Sequence, residues 1–184
     1  GKTYGFLEAA EGMMDSEHGQ MAVDKIGTLE DQMNQELTDL LPYNYVPPTK
    51  HAFIDPALYD DLRANPAQAQ RITDFFTLLI VCHTVLIERL DGGHVPQDDK
   101  ELELAPHQLL FKAQSPDEAA LVATSRDLGM VFLGREQERI KISILGKIEH
   151  ITVLNVIEFN STRKRMSIIV KRQDGRIQLF SKGA

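Results

Sequence analysis

The sequence has little cysteine and no long apolar run. Cys82 is the single cysteine among 184 residues, so an internal disulfide is excluded. Its place in an apolar run predicts a buried, inert thiol. A single cysteine also fits a cytosolic setting. The longest such run, residues 78–87 (LLIVCHTVLI), falls short of the roughly 20 residues that a transmembrane helix needs. No charged-then-apolar leader opens the chain, so we expect neither secretion nor membrane insertion from these residues.

The chain also lacks a net positive charge. Its formal net charge of −7 argues against nucleic acid as a bulk electrostatic partner. Apolar residues make up 42% and charged residues 26% of the chain, which is ordinary globular usage. A chain of 184 residues is long enough for one domain, or most of one.

The first half of the chain carries helix signals. Residues 1–50 show few sustained apolar patterns, and we predict a connector with one short helix over 28–41. A proline starts a short helix within 53–65 (FIDPALYDDLRAN), and Asn65 and Pro66 supply the N-cap and first residue of a longer helix to about Leu90. The predicted core stripe of that helix comprises Ile72, Phe75, Phe76, Leu79, Ile80, His83 and Leu86. We interpret His83 as a satisfied core histidine rather than a ligand.

A loop and a second helix follow. Residues 92–108 are polar and interrupted by glycine and proline, which predicts a loop. Ser115, Pro116 and Glu118 form the pattern of a capping box at a helix start, and Gly129 supplies its stop.

Strand patterns fill the rest of the chain. Residues 130–133 predict a short strand, the isoleucines from 140 to 144 alternate, Gly146 marks a turn, and 148–159 is rich in β-branched residues. The segments RMSIIVKR and RIQLF flank QDG, which predicts a hairpin. Consecutive strands joined by short turns predict an α+β fold, an antiparallel β-sheet flanked by helices.

Three short sequence segments occur in a fixed order along the chain, and the ordered set indicates a protein family more specifically than any one segment does. They are SPDEAAL (115–121), IEFNSTRKRMS (157–167) and FSKGA (180–184). Together they resemble the nucleotide-binding domain of P-type ATPases, and FFTLLIVCHTVLIE (75–88) resembles the lipid-flippase subfamily. The resemblance implies that residues 51–184 are an incomplete nucleotide-binding domain without its C-terminal part. Residues 1–50 would be the connector from the phosphorylation domain, partly disordered.

The resemblance also implies two anchors of a nucleotide. Phe159 stands where an aromatic ring of the family stacks on adenine, and aromatic–base stacking contributes on the order of 1–3 kcal/mol. Lys182 stands at the floor of the adenosine pocket, where the small Gly183 and Ala184 are expected to leave room for the nucleotide.

Three further contacts are implied in the same way. Ser161 and Lys164 resemble a hydroxyl and a cation that face the ligand, and Glu118 resembles an acceptor for the exocyclic amine of adenine. Arg163 and Arg165 alternate with Lys164, so in an extended segment they would face away from the ligand.

The string DKIGTLE (24–30) is similar to the family's phosphorylation motif DKTGTLT, in which the aspartate ends an apolar strand. Here only GQMAV precedes Asp24, and Ile26 and Glu30 replace two threonines. We therefore predict that Asp24 is not phosphorylated and that this chain contains no catalytic residue and no metal ligand.

The function implied is the ATP-binding domain of a phospholipid-translocating P-type ATPase. It would position Mg·ATP for phosphoryl transfer to an aspartate outside this chain, with ATP and Mg²⁺ as cofactors and the metal bound mainly by the phosphorylation domain. The implied partners are the phosphorylation and actuator domains and, through the parent, a phospholipid and an accessory subunit. The chain would be a cytosolic domain of an integral membrane protein, inactive by itself.

Two alternatives remain open at this point. The first is the same domain of a cation pump, against which CHTVLIE (82–88) argues. The second is a non-catalytic interaction or nucleic-acid-binding module, which a basic cluster favours and the negative net charge of the chain disfavours. The cluster consists of Arg163, Lys164, Arg165, Lys171, Arg172 and Arg176.

Overall fold

The computed structural model describes residues 2–5, 16–49, 51–90 and 108–184, and for residues 16–24 only the helical backbone. The helices are α1 (Ser16–Leu40), α2 (Ala57–Ala64), α3 (Pro66–Val81) and α4 (Pro116–Asp127). The strands are β1 (Leu86–Arg89), β2 (Leu109–Lys112), β3 (Met130–Glu136), β4 (Arg139–Ile144), β5 (Lys147–Asn160), β6 (Arg165–Lys171) and β7 (Ile177–Gly183).

The main sheet follows the chain from β3 to β7. Each of these five strands pairs antiparallel with the next, while β1 and β2 form a separate two-stranded sheet. The meander follows from the short turns between strands, since a short turn reverses the chain beside itself. The predicted α+β fold with an antiparallel sheet is confirmed.

One face of the sheet contributes to the core. Ile168 and Phe180 pair across β6 and β7, and both are buried in the same cluster as Ile80 of α3. On the alternate positions of β7, Ile177 and Leu179 are 66% and 64% exposed. The helices therefore pack against one face, as the period-2 pattern of these strands requires.

Helix α3 starts as predicted and ends earlier. The Asn65 side chain accepts a hydrogen bond from the Gln68 amide at 3.2 Å, with proline in the first turn. The helix stops at Val81 rather than near Leu90, and residues 86–89 form β1. Leu86 is 71% exposed. The sequence could not show this ending, because a short apolar run fits a helix and a strand equally well.

Two other elements differ from the prediction. Helix α1 begins at Ser16 rather than at residue 28, and Met33, Leu37 and Leu41 in its second half and at its end are buried. Strand β2 was not predicted, and the expected loop lies outside the described residues except for Gln108. In the described part of the chain, no helix has both the length and the apolar composition of a membrane span.

The predicted turns are present. Gly129 has a φ of 87° and follows Leu128, the C-cap residue of α4. The hairpin between β6 and β7 is confirmed, although only Gly175, with a φ of 87°, takes the positive angle. Gly146 has a φ of 82°, and a Cβ built on it would lie 2.1 Å from Cδ of Pro42, whereas one on Gly175 would meet nothing within 4 Å.

Gly146 and Gly175 form a matched pair for mutation, because both have a positive φ but only Gly146 is close to another residue. Gly175→Ala should lower the free energy of unfolding by about 1 kcal/mol, because alanine disfavours the left-handed region. Gly146→Ala should cost about 2–4 kcal/mol, because the new methyl group also collides with the Pro42 ring. Urea unfolding of both variants measures the difference, and equal losses would refute the contact between Pro42 and the turn.

Candidate functional site

Three elements of the fold meet at the carboxylate of Glu118, in the first turn of α4. Its Oε2 accepts hydrogen bonds from Thr84 Oγ1 at 2.7 Å and from the Thr84 amide at 3.2 Å. Its Oε1 lies 3.3 Å from Nζ of Lys182 on β7. The side chains of Glu118 and Lys182 are only 15% and 21% exposed. The carboxylate thus joins the segment after α3 to the last strand of the sheet.

The predicted capping box does not form. Ser115 has the extended backbone of an N-cap residue, but its side chain makes no capping hydrogen bond. The carboxylate of Glu118 is engaged by Thr84 and Lys182 instead of reaching back to the backbone of Ser115. The prediction was wrong because it considered only partners within the same helical turn.

The surroundings of Glu118 favour its charged form. Burial by itself raises the pKa of this carboxyl, yet the hydrogen bonds from Thr84 and the charge of Lys182 outweigh burial and lower it below its ordinary value. Glu118 is therefore ionised at neutral pH, and Lys182 faces a permanent negative charge.

Phe159 stands beside a tight turn at the end of β5. Its ring is 64% exposed. The Asn160 side chain accepts hydrogen bonds from the amides of Thr162 and Arg163 at 2.8 and 3.1 Å, and the Lys164 amide donates to the Asn160 carbonyl at 2.6 Å. Lys164 has a φ of 52°. The segment is a turn, so the argument from an extended alternation of Lys164 with its neighbours was wrong.

Strand pairing brings this turn to the end of β7. Arg165 pairs with Gly183, and Met166 pairs with Lys182. Phe159, Lys164 and Lys182 therefore lie at the same end of the sheet. Ser161 and Lys164 are exposed on the turn.

Gly183 lies close to the turn at Lys164. A Cβ on Gly183 would lie 2.3 Å from the carbonyl oxygen of Lys164, and the Ala184 amide donates to that oxygen at 3.0 Å. In the direction that a side chain would take from Gly183, the space is filled by the backbone of the turn. The small residue allows β7 to approach the turn closely.

Residues 82–84 form the segment that carries Thr84 to Glu118. The Cys82 thiol is buried, lies 3.7 Å from the Met166 carbonyl oxygen, and has a pKa raised by burial. His83 is buried, with Nε2 2.9 Å from the Ile80 carbonyl oxygen and Nδ1 accepting from the Val85 amide at 3.0 Å. Both residues have the inert structural roles that were predicted. Thr84 was not predicted as a site residue, although the string CHTV contains it.

Asp24 lies inside α1, and none of the strands in the described ranges precedes it in the sequence. The phosphorylation motif that DKIGTLE resembles needs its aspartate at the end of a strand, and a helix interior does not provide that position.

The basic cluster does not form one patch. Arg163 and Lys164 lie at one end of β6, and Lys171 at the other, about 20 Å away at the usual rise of a strand. Near that far end Arg172 pairs with Glu149 at 2.7 Å, and Arg176 with Asp174 at 2.6 Å.

Comparison with known proteins identifies the class that this fold and site define. Residues 94–184 match the model of the P-type ATPase cytoplasmic domain N. The chain belongs to the P-type ATPases.

Similar proteins within that class are phospholipid-transporting ATPases. Phospholipid-transporting ATPase DNF1 of Chaetomium thermophilum is 39% identical over 97% of this chain and 11% of its own length. Phospholipid-transporting ATPase IC of Xenopus tropicalis is 39% identical over 86% of the chain and 11% of its length, and that of Homo sapiens is 42% identical over 73% and 9%. The chain spans about a tenth of the length of these relatives.

The buried His83 makes stability depend on pH. Burial lowers the pKa of His83 from 6.5 to about 4, so the unfolded chain binds a proton that the folded chain does not bind between these values. The free energy of unfolding should fall as the pH drops through this window, with a contribution approaching about 1.4 kcal/mol per pH unit. His83→Gln should remove that contribution. Urea unfolding of both proteins from pH 7 to 4.5 measures it, and parallel pH profiles would contradict it.

Proposed function

We propose that this chain binds the adenosine end of ATP where the ends of β5 and β7 meet α4. The residues are Glu118, Phe159, Ser161, Lys164 and Lys182. The observation that carries the proposal is the exposed ring of Phe159 at the same end of the sheet as the shielded pair of Glu118 and Lys182. An exposed aromatic ring near paired charges offers both a stacking surface and polar contacts to a base.

Each residue has a chemical role in this proposal. Phe159 stacks on adenine, and Lys182 lies at the floor of the adenosine pocket. Glu118 accepts a hydrogen bond from the exocyclic amine of adenine. An ionised carboxylate has about four acceptor positions, and the described residues use three of them.

Ser161 and Lys164 serve the phosphate side. Both are exposed on the turn after Phe159, where a hydroxyl and an ammonium group can contact phosphate oxygens. Among the described residues, no group of three or more His, Cys, Asp or Glu side chains is placed to hold a metal ion. We propose that Mg²⁺ is bound mainly by the phosphorylation domain of the parent, and that ATP supplies the transferable phosphoryl group.

The names of the relatives support a proposal for the whole protein. We propose a phospholipid-translocating P-type ATPase in which residues 51–184 belong to a nucleotide-binding domain on the cytosolic side and residues 1–50 to the connector. The phosphorylated aspartate, the actuator domain, the phospholipid site and any accessory subunit would lie outside this chain, which would be inactive alone. The names of the relatives support a lipid rather than a cation as the cargo.

A nucleic-acid-binding module has less support. The basic residues at the two ends of β6 are separated, and Arg172 and Arg176 are paired with carboxylates. A nucleic-acid face needs a continuous row of available cations.

The stacking and floor residues give the main test. Phe159→Ala should weaken Mg·ATP binding about 5- to 150-fold, the equivalent of about 1–3 kcal/mol of stacking. Lys182→Ala should also weaken it, because the floor contact is lost and Glu118 is left unpaired. Amide chemical shift titration with Mg·ATP, or a non-hydrolysable analogue, measures both.

Matched controls exist for both changes. Phe75→Ala removes a ring that is 58% exposed on α3, and Lys171→Ala removes an exposed lysine at the far end of β6. Both should leave ATP affinity unchanged, as should Asp24→Asn, and an oligonucleotide should shift no signals. Unchanged spectra of the folded wild type at millimolar ATP would refute the proposal, and ATP turnover by the chain alone would refute its inactivity.

Lys164 should distinguish phosphate from base recognition. Lys164→Asn removes the charge with a residue that tolerates the positive φ of this position. It should weaken ATP binding about three- to tenfold, less at high salt, while adenosine binding stays within about twofold. Parallel titrations with ATP and adenosine measure this, and an equal loss for both ligands would place Lys164 away from the phosphates.

A further inference from the structure

Thr84 has no role in the proposed site, although it makes two of the three hydrogen bonds that described residues donate to the Glu118 side chain. Its hydroxyl and its amide both donate to Oε2, at 2.7 and 3.2 Å, while Lys182 donates to Oε1 at 3.3 Å. Thr84 is exposed, so its hydroxyl could equally be hydrated. The contact with Thr84 determines the orientation of the Glu118 carboxylate and the acceptor positions that stay free on it.

The segment that holds Thr84 is fixed to the sheet. The Cys82 thiol lies against the Met166 carbonyl of β6 at 3.7 Å. The His83 ring packs edge-on against Phe132 of β3, with ring centroids 4.4 Å apart, and both ring nitrogens make hydrogen bonds to the backbone. Thr84 is therefore presented from a rigid turn, and it can hold Glu118 in one orientation.

The count of acceptor positions separates two classes of nucleobase. A carboxylate has about two acceptor positions on each oxygen. Thr84 occupies both on Oε2 and Lys182 one on Oε1, so the contacts of the described residues leave a single position. The exocyclic amine of adenine needs one acceptor. Guanine carries the O6 carbonyl, an acceptor, in place of this amine, so it can bind Glu118 only through its adjacent N1–H and N2–H donors, which pair best with both oxygens of an unoccupied carboxylate.

We propose that Thr84 is a positioning residue that strengthens base specificity, because by saturating Oε2 it limits Glu118 to one further hydrogen bond and disfavours the paired N–H donors of guanine nucleotides. This inference rests on the proposed nucleotide site. It adds to that site a residue that does not touch the ligand and a second source of discrimination, beside the mismatch between Glu118 and the O6 carbonyl of guanine.

The test compares Mg·ATP with Mg·GTP by amide chemical shift titration of the 184-residue chain. Wild type should prefer ATP. Thr84→Val keeps the shape and the amide donor but removes the hydroxyl, so the ratio of ATP to GTP affinity should fall about three- to tenfold. Thr84→Ala should give the same lower ratio, and Thr84→Ser, which restores a hydroxyl, should keep the ratio within about twofold of wild type.

The outcomes separate this inference from the proposed function. A wild type that binds neither nucleotide refutes the site and the inference together. A wild type that binds ATP and GTP equally, or a Thr84→Val variant with the wild-type ratio, refutes only the inference. Equal losses of the ratio in Thr84→Val and Thr84→Ser assign Thr84 a general packing role and also refute it, whereas rescue by serine supports it.

Discussion

One partly desolvated charge organises the candidate site. The Glu118 carboxylate is mostly withdrawn from water, and a charge in that position is costly unless hydrogen bonds and an opposite charge compensate it. Thr84 and Lys182 provide that compensation from two different parts of the fold. The end of α3, the start of α4 and the end of β7 must therefore keep their relative positions for the charge to remain satisfied. The hydrogen bonds and the ion pair of Glu118 thus stabilise the arrangement of the candidate site together with apolar packing.

In the turn at residues 82–84, two residues with structural roles lie next to one that faces the candidate site. Cys82 and His83 satisfy their polar atoms on the backbone and the sheet, where water is excluded. Thr84 follows at the surface and faces the candidate site. A small change in the packing of His83 against Phe132 would move Thr84 with it, since closely packed cores transmit displacements rather than absorb them. The chemistry of the site thus depends on a ring contact inside the core.

Much of the fold could be predicted because its signals are local. The alternation at Ile140 and Ile142 and the proline after Asn65 each depend on near neighbours in the chain, and the structure has the predicted elements there. The miss at Glu118 depends on distant partners. Glu118 was assigned to a capping box because Thr84 and Lys182, 34 and 64 residues away, could not be placed in space. The family resemblance named candidate residues such as Phe159, but only the strand register shows which of them lie at one end of the sheet.

The contact of Gly183 with the turn at Lys164 links the two ends of the proposed ligand site. The same short stretch of β7 carries Lys182 and, one residue later, lies against the Lys164 carbonyl. A displacement of this strand would move the group assigned to adenosine and the group assigned to phosphate together. Contributions of the two lysines to affinity should then be coupled rather than additive, as expected for residues that share one backbone element. In that arrangement the base side and the phosphate side of the proposed site are joined by one short stretch of backbone.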